Sequence, residues 1–168
     1  EQEFDILLDD PQLYHRPFAT PKTAISDAEY MIGLYASTLV RDGGSLQIGI
    51  GSIGDALVYA LLLRHQQNAV YLDALARLRI LERFGDVIAE VGGTEPFAAG
   101  LFAPTEMLVD GFMHLIEAGI VKRVVYDDFA LQRMACRNEL PERPSSQLLD
   151  ALLAAGAIPA VLDQRALS

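Results

Sequence analysis

Residues 45–63 read SLQIGIGSIGDALVYALLL, and this stretch decides how the fold of the 168-residue chain is predicted. Segment 45–50 has an apolar residue at every second position, which is typical of a β-strand. Segment 56–63 is apolar almost all round, which is typical of a buried helix. The glycines between them fit the pattern G-x-G-x-x-G over residues 49–54. The stretch therefore predicts a strand, a tight turn and a helix in succession.

The glycine turn predicts a site for an anionic ligand. Glycines let the backbone approach a ligand, and the first amides of the following helix lack internal partners at the positive end of its dipole. An alternative interpretation of the same pattern is a strand-to-helix turn that needs small residues only for packing. Asp73 follows Gly54 at nearly the spacing of the ribose-binding acid in dinucleotide folds. An NAD-binding domain of the Rossmann type is therefore an open alternative, which requires a strand at 69–73, whereas 72–84 has helical spacing.

Helical and strand-like patterns alternate along the rest of the chain. Ser26 and Glu29 form a capping-box pattern at the start of the first helix. Helical spacing is found at 26–39, 56–63, 72–84, 108–118 and 148–155. Strand patterns are found at 45–50, 98–103, 122–126 and 158–162. The alternation predicts an α/β fold with a mostly parallel open sheet and flanking helices.

Composition excludes several classes of partner. The 23 acids and 13 bases give a net charge of −10, which disfavours binding to nucleic acid or to an anionic membrane surface. No apolar run reaches the roughly 18–20 residues of a membrane span. Cys136 is the single cysteine, so we expect a reducing, cytoplasmic compartment. Asp110, His114 and Glu117 share one face of a predicted helix, where we expect solvent and no metal.

An acidic residue lies where a parallel sheet would place a ligand site. The segment PTEM at 104–107 follows a predicted strand and precedes a predicted helix. The flanking residues are Phe102, Met107 and Leu108. Beside them, the Glu106 carboxylate is expected to be partly stripped of water and able to act as a nucleophile or base. A simpler interpretation is that Thr105 caps the helix and Glu106 lies in its first turn, where negative charge is favourable.

Two stretches together resemble a known enzyme family. LVRDGGSLQIGIGSIGDALVYAL (39–61) and APTEMLVDGFMHLIEAGIV (103–121) are similar, in this order, to the acetyl-CoA hydrolase/transferase family, which includes butyrate and 4-hydroxybutyrate CoA-transferases. The resemblance covers residues 26–121. It implies a CoA-transferase-like α/β half of a longer enzyme, in which this chain supplies a linker and the start of the second half.

The resemblance also implies the chemistry. Glu106 matches the family's acyl-accepting nucleophile, and Gly49, Ile50, Gly51 and Ser52 match the turn that lies against coenzyme A and the thioester. It implies a transferase or hydrolase of acetyl-CoA metabolism that uses acyl-CoA and a carboxylate as small-molecule substrates. No permanently bound cofactor is expected. The expected partners are the missing halves of the longer chain, with assembly into a homo-oligomer left open.

The domain organisation follows from prolines and from a departure from the family. Three prolines within residues 1–22 predict an extended arm or interdomain linker. Residues 23–168 are then an incomplete CoA-transferase-like α/β domain, with a helical insertion at 64–97 that the family does not usually carry. A non-catalytic interaction module, in which the arm binds a partner and the glycine turn serves packing, is the third alternative.

Overall fold

The structure is a computed structural model that describes residues 9–15, 22–141, 143 and 145–161. Much of the predicted arm, at 1–8 and 16–21, lies outside the described residues. One 3₁₀ turn, Pro11–Leu13, precedes the helices. The α-helices of the described residues are α1 (Asp27–Thr38), α2 (Ser52–Gln66), α3 (Asn68–Arg77), α4 (Ile80–Val91), α5 (Asp110–Glu117), α6 (Phe129–Cys136) and α7 (Ser146–Ala154).

The chain divides into two compact units, Glu1–Val121 and Lys122–Ser168. The first unit contains α1–α5. The second contains α6 and α7, whose first turns are capped by the side chains of Asp128 and Ser145. Neither predicted strand of the second unit is present in its described part, at 122–126 and 158–161.

The prediction of an α/β fold with an open parallel sheet is wrong. The described residues are mostly helical and contain no sheet. Two isolated parallel bridges are present: Ser45 pairs with Phe102, and Leu101 pairs with Val121, which precedes the predicted strand at 122–126. Three extended segments therefore lie side by side in the first unit, but they pair over too few residues to form strands.

Backbone chemistry explains why the pairing is so short. Phe102 N–H donates to Gly44 O at 3.0 Å, and Leu46 N–H donates to Phe102 O at 2.9 Å. The next bond of a parallel ladder would come from residue 104, and Pro104 has no N–H to donate. The partner segment, which contains Leu46, also ends soon afterwards, because α2 begins at Ser52. The apolar alternation correctly places Leu46 and Ile48 toward the core, but Ile50 is 52% exposed. It does not show whether the backbone is paired.

The helix predictions are closer to the structure. The capping box is confirmed, because Ser26 N–H donates to the Glu29 carboxylate at 2.7 Å and Glu29 N–H donates to Ser26 Oγ at 3.4 Å. The single helix predicted over 72–84 is wrong. The chain breaks between α3 and α4, where Arg79 has a left-handed φ of +55°. Leucine spacing alone does not reveal such a break, because the apolar period continues through it.

The main core lies between α2, α5 and the three extended segments. Its buried residues are Ile48, Val58, Leu61, Phe97, Leu101, Val109, Phe112, Leu115 and Ile120. Glycines allow the helices to approach closely. A Cβ at Gly33 would lie 2.6 Å from Ala56 O, and a Cβ at Gly111 would lie 2.7 Å from Val58 Cγ2. α1 and α5 therefore pack against α2 at positions where only glycine fits without a shift.

A buried arginine joins α1, α2 and the segment after α4. Arg64 is 1% exposed, and its guanidinium donates to the carbonyl oxygens of Ser37 (3.0 Å), Val40 (2.7 Å) and Glu95 (2.8 Å). It also lies 4.4 Å from the centroid of the Phe97 ring. Burial lowers the pKa of Arg64. The cation satisfies carbonyls at the end of α1, where the helix dipole favours positive charge.

Candidate functional site

The glycine turn and the TEM segment open onto one cavity of about 230 Å³ in the first unit. These segments are more than fifty residues apart in the sequence. The lining residues are Gln47, Ile48, Gly49, Ile50, Thr105, Glu106, Met107 and Val109. Three of the five predicted site residues, Glu106, Gly49 and Ile50, are therefore brought together.

The other two predicted site residues do not line this cavity. Gly51 is the N-cap of α2, and Ser52 is its first residue. The Ser52 hydroxyl donates to the carboxylate of Glu29, at the start of α1. The pKa of Glu29 is lowered, mainly by this hydrogen bond and to a smaller extent by those from the amide and hydroxyl of Ser26. Ser52 thus joins the first turns of α1 and α2.

Two glycines shape the turn for different reasons. Gly51 has φ +118°, a backbone conformation that residues with a Cβ rarely adopt. A Cβ at Gly54 would lie 2.7 Å from Gly49 O, so only glycine fits as the turn closes. Among the described residues, no side chain caps the start of α2. Its first amides therefore remain without a side-chain acceptor, at the end of the helix that attracts anions.

Glu106 lies in a turn ahead of α5 and not in the helix. The Thr105 hydroxyl donates to Met107 O at 2.6 Å and accepts from Met107 N–H at 3.3 Å. The residue that precedes α5 is Val109, which provides no side-chain cap. The simpler interpretation, a helix cap at Thr105 with Glu106 in the first turn, is therefore wrong. Thr105 instead holds the turn that carries Glu106.

The Glu106 side chain is exposed, and no described residue forms a hydrogen bond or ion pair with it. Its neighbours Met107 and Leu108 are 45% and 64% exposed. The expectation that apolar neighbours strip this carboxylate of water is therefore wrong for the described residues. What the site does offer is an available carboxylate in the same cavity as Gly49 and Ile50.

Gln47 is a cavity residue that the sequence analysis missed. It is exposed between the inward-facing Leu46 and Ile48, and its side-chain amide bonds to no described residue. It is therefore an available hydrogen-bond donor in the same cavity as Glu106. The sequence could have indicated this exposure, because the alternation over 45–50 places Gln47 on the polar side of the segment.

Asp42 was also missed, and it holds the segment that leads to Glu106. Its carboxylate accepts from the backbone amides of Gly43 (3.0 Å), Ala98 (3.0 Å), Ala99 (2.9 Å) and Gly100 (2.8 Å). Burial raises the pKa of Asp42, but the four amide bonds outweigh it, so the net pKa is lowered. The signal was the Asp-Gly-Gly sequence, a composition typical of turns in which Asp bonds to nearby amides.

Asp73 does not occupy the position that a dinucleotide site requires. Residues 69–73 lie in α3, so the strand on which the NAD alternative depends is absent. The Asp73 carboxylate is exposed and pairs with Arg77 on the same helix, at 2.7 Å. It is therefore a surface ion-pair residue.

The acidic face of α5 is solvated. Lys22 lies 3.4 Å from Asp110 and 3.2 Å from Asp55, and His114 Nδ1 lies 3.9 Å from Glu117. The described residues contain no group of three or more His, Cys, Asp or Glu side chains that could hold a metal ion. Their helices also include none whose length and apolar character would let it cross a lipid bilayer.

Comparison with known proteins gave no relatives: the chain matched no protein family, no curated protein and no solved structure. Any functional assignment therefore depends on the site itself and on the sequence resemblance.

Proposed function

We propose that this chain acts on an acyl-CoA thioester with Glu106 as the nucleophile, as the resemblance to the acetyl-CoA hydrolase/transferase family implies. The observation that carries the proposal is the shared cavity, which Glu106 lines together with Gly49 and Ile50. A nucleophilic carboxylate beside main-chain groups and a side-chain donor is the arrangement that acyl transfer needs. The proposal does not depend on the α/β fold, which the structure lacks.

The chemistry takes place in two attacks. The Glu106 carboxylate attacks the thioester carbonyl, the carbon–sulfur bond breaks, and coenzyme A leaves as the thiolate with a mixed anhydride on the enzyme. The thiolate then attacks the Glu106 carbonyl, which releases the acyl group as a carboxylate and leaves a glutamyl-CoA thioester. An incoming carboxylate reverses these steps to form a new acyl-CoA. Water that attacks either intermediate makes the net reaction hydrolysis.

The size of the cavity limits which part of the substrate it holds. Pockets for drug-sized ligands occupy roughly 300–1,000 Å³, whereas this cavity is about 230 Å³. It therefore suits the thioester and a short acyl group, with the rest of coenzyme A outside it. Apolar side chains of Ile48, Ile50 and Val109 in its lining favour an alkyl acyl group over a charged one.

The exposure of Glu106 favours hydrolysis by this chain over transfer. A transferase must keep water from its anhydride and thioester intermediates. Here the carboxylate is exposed, and so are the adjacent Met107 and Leu108. We therefore propose that the 168-residue chain releases free acid and coenzyme A.

The test is to incubate the chain with acetyl-CoA and to measure both thiol release and adducts on its peptides. All variants carry Cys136→Ser, because Cys136 is exposed and can itself be acylated by thioester exchange. We expect a coenzyme A adduct on the Glu106 peptide. Glu106→Gln should abolish that adduct and reduce thiol release about 1,000-fold.

The matched control is Glu117→Gln, since Glu117 is an exposed glutamate outside the cavity. It should keep both the adduct and the rate. An unmodified Glu106 peptide, together with unchanged turnover in Glu106→Gln, contradicts the proposal.

A further inference from the structure

An exposed apolar strip runs along α4. Phe84, Val87 and Val91 are 39%, 50% and 47% exposed, and Leu39 at the end of α1 is 51% exposed beside them. Between α1 and α4 lies a groove of about 220 Å³, lined by Tyr35, Thr38, Leu39, Ile80, Phe84, Val87 and Ile88. Contiguous apolar surface of this kind is typical of an interaction site.

Three charged side chains follow this strip on one side of α4: Arg83 and Glu90 are nearest to it, and Asp86 lies about 40–60° further round the helix. At 100° per residue, Arg83 and Glu90 project from nearly the same side of α4, next to Val87. They are seven residues apart, about 10.5 Å along the helix, and Val87 lies close to the midpoint between them. No described residue forms an ion pair with either side chain. The Arg83 guanidinium lies 5.2 Å from the centroid of the Phe84 ring.

This arrangement is self-complementary. Two α4 helices can be related by a twofold axis that lies in the interface plane, perpendicular to α4 and near Val87. The two helices are then antiparallel, and a residue at one edge of the interface stays at that edge in both copies. The axis brings Arg83 of each copy next to Glu90 of the other, and it covers both apolar strips at once. A wholly basic partner would place like charge against Arg83, and a wholly acidic partner would place like charge against Asp86 and Glu90.

We propose that a second copy of this chain docks on α4, in an antiparallel α4–α4 contact centred on Val87. The contact lies in the segment 64–97, which the resembling family does not usually carry. None of the residues of the proposed contact lines the Glu106 cavity. Dimer formation is therefore measured independently of any enzymatic activity.

The test measures the mass of the 168-residue chain by sedimentation equilibrium over a wide range of protein concentration. We expect a reversible dimer. Val87→Glu should raise its Kd by about 100-fold or more, because each dimer would bury two unpaired carboxylates. The control is Val70→Glu, since Val70 is 54% exposed on α3 and outside the groove. It should leave the Kd unchanged, and circular dichroism checks that both variants fold.

Charge exchange tests the proposed orientation. Arg83→Glu should raise the Kd about tenfold, since it places like charges together at two sites. The double variant Arg83→Glu, Glu90→Arg should return most of the affinity. A parallel contact does not predict this recovery.

A disulfide tests the position of the axis. In a Cys136→Ser background, Val87→Cys should give a covalent dimer on mild oxidation, because the two Cβ atoms approach each other near the twofold axis. A chain that stays monomeric at all concentrations overturns the proposal. So does a dimer that Val87→Glu leaves intact, or one that the charge-exchanged variant does not recover.

Discussion

Replacing Asp42 with asparagine removes the charge from a carboxylate that accepts four backbone hydrogen bonds. Hydrogen bonds to a charged group contribute about 1.5–3 kcal/mol each. The amides of Ala98 and Ala99 belong to exposed residues and can bond to water instead. Asparagine keeps one acceptor oxygen for Gly43 and Gly100, which both bond to Asp42 Oδ1, so these two bonds lose their charge assistance but not their acceptor. Solvent screening reduces the loss further. We expect the first unit to lose about 2–3 kcal/mol of unfolding free energy at neutral pH.

The pH dependence identifies the cause. The folded-state pKa of Asp42 is lowered, so its contribution is fully present above the unfolded pKa of about 3.9 and is lost as the pH falls through the folded pKa. The stability difference between wild type and Asp42→Asn should therefore be large at neutral pH. It should shrink steadily as the solution is acidified below the ordinary aspartate pKa.

Urea unfolding followed by circular dichroism measures this difference at each pH. The matched control is Asp73→Asn, which breaks an exposed ion pair with Arg77 and should change stability by less than about 0.5 kcal/mol. A difference for Asp42→Asn that is absent at neutral pH refutes the reasoning. A difference of equal size at acidic pH also refutes it, because the charge would then not be its source.

Two further substitutions test the site and the core. Gln47→Leu should slow acetyl-CoA cleavage by about tenfold in thiol-release assays, because it removes the available amide donor from the Glu106 cavity; an unchanged rate would exclude Gln47 from the reaction. Arg64→Met replaces the guanidinium with a shorter, unbranched apolar side chain and leaves the carbonyls of Ser37, Val40 and Glu95 without their donor. The substitution should lower the free energy of unfolding, measured with denaturant, by about 3 kcal/mol. An unchanged midpoint of the unfolding transition would contradict the role given to this arginine.

Local signals predicted α1, α5 and α7 well because the causes are local, whereas α6 was not predicted. The capping box at Ser26 depends on two side chains three residues apart, and it forms as predicted. The predicted helices at 108–118 and 148–155 correspond to α5 and α7 within two residues. The break at Arg79 was missed because the same apolar spacing serves two helices that turn relative to each other.

The sheet was predicted wrongly because strand pairing depends on distant segments. Alternating residues at 45–50 do bury Ile48 in the core, as an inward-facing position should. A ladder, however, needs a donor from the neighbouring segment at each step, and Pro104 supplies none. The pairing of the segment 45–50 was therefore limited by Pro104, which lies more than fifty positions further along the chain.

For the candidate site, the sequence by itself determined the chemical groups: a glutamate between a predicted strand and a predicted helix, glycines of the kind that a tight turn requires, and the polar positions of an alternating segment. Only the tertiary structure decided that Glu106, Gly49 and Gln47 share one cavity, that Ser52 is directed toward Glu29 instead, and that the carboxylate is exposed. The physical reason is that residue type and local spacing determine what a group can do. Which groups meet, and how much water reaches them, depends on packing between segments that are far apart in the chain.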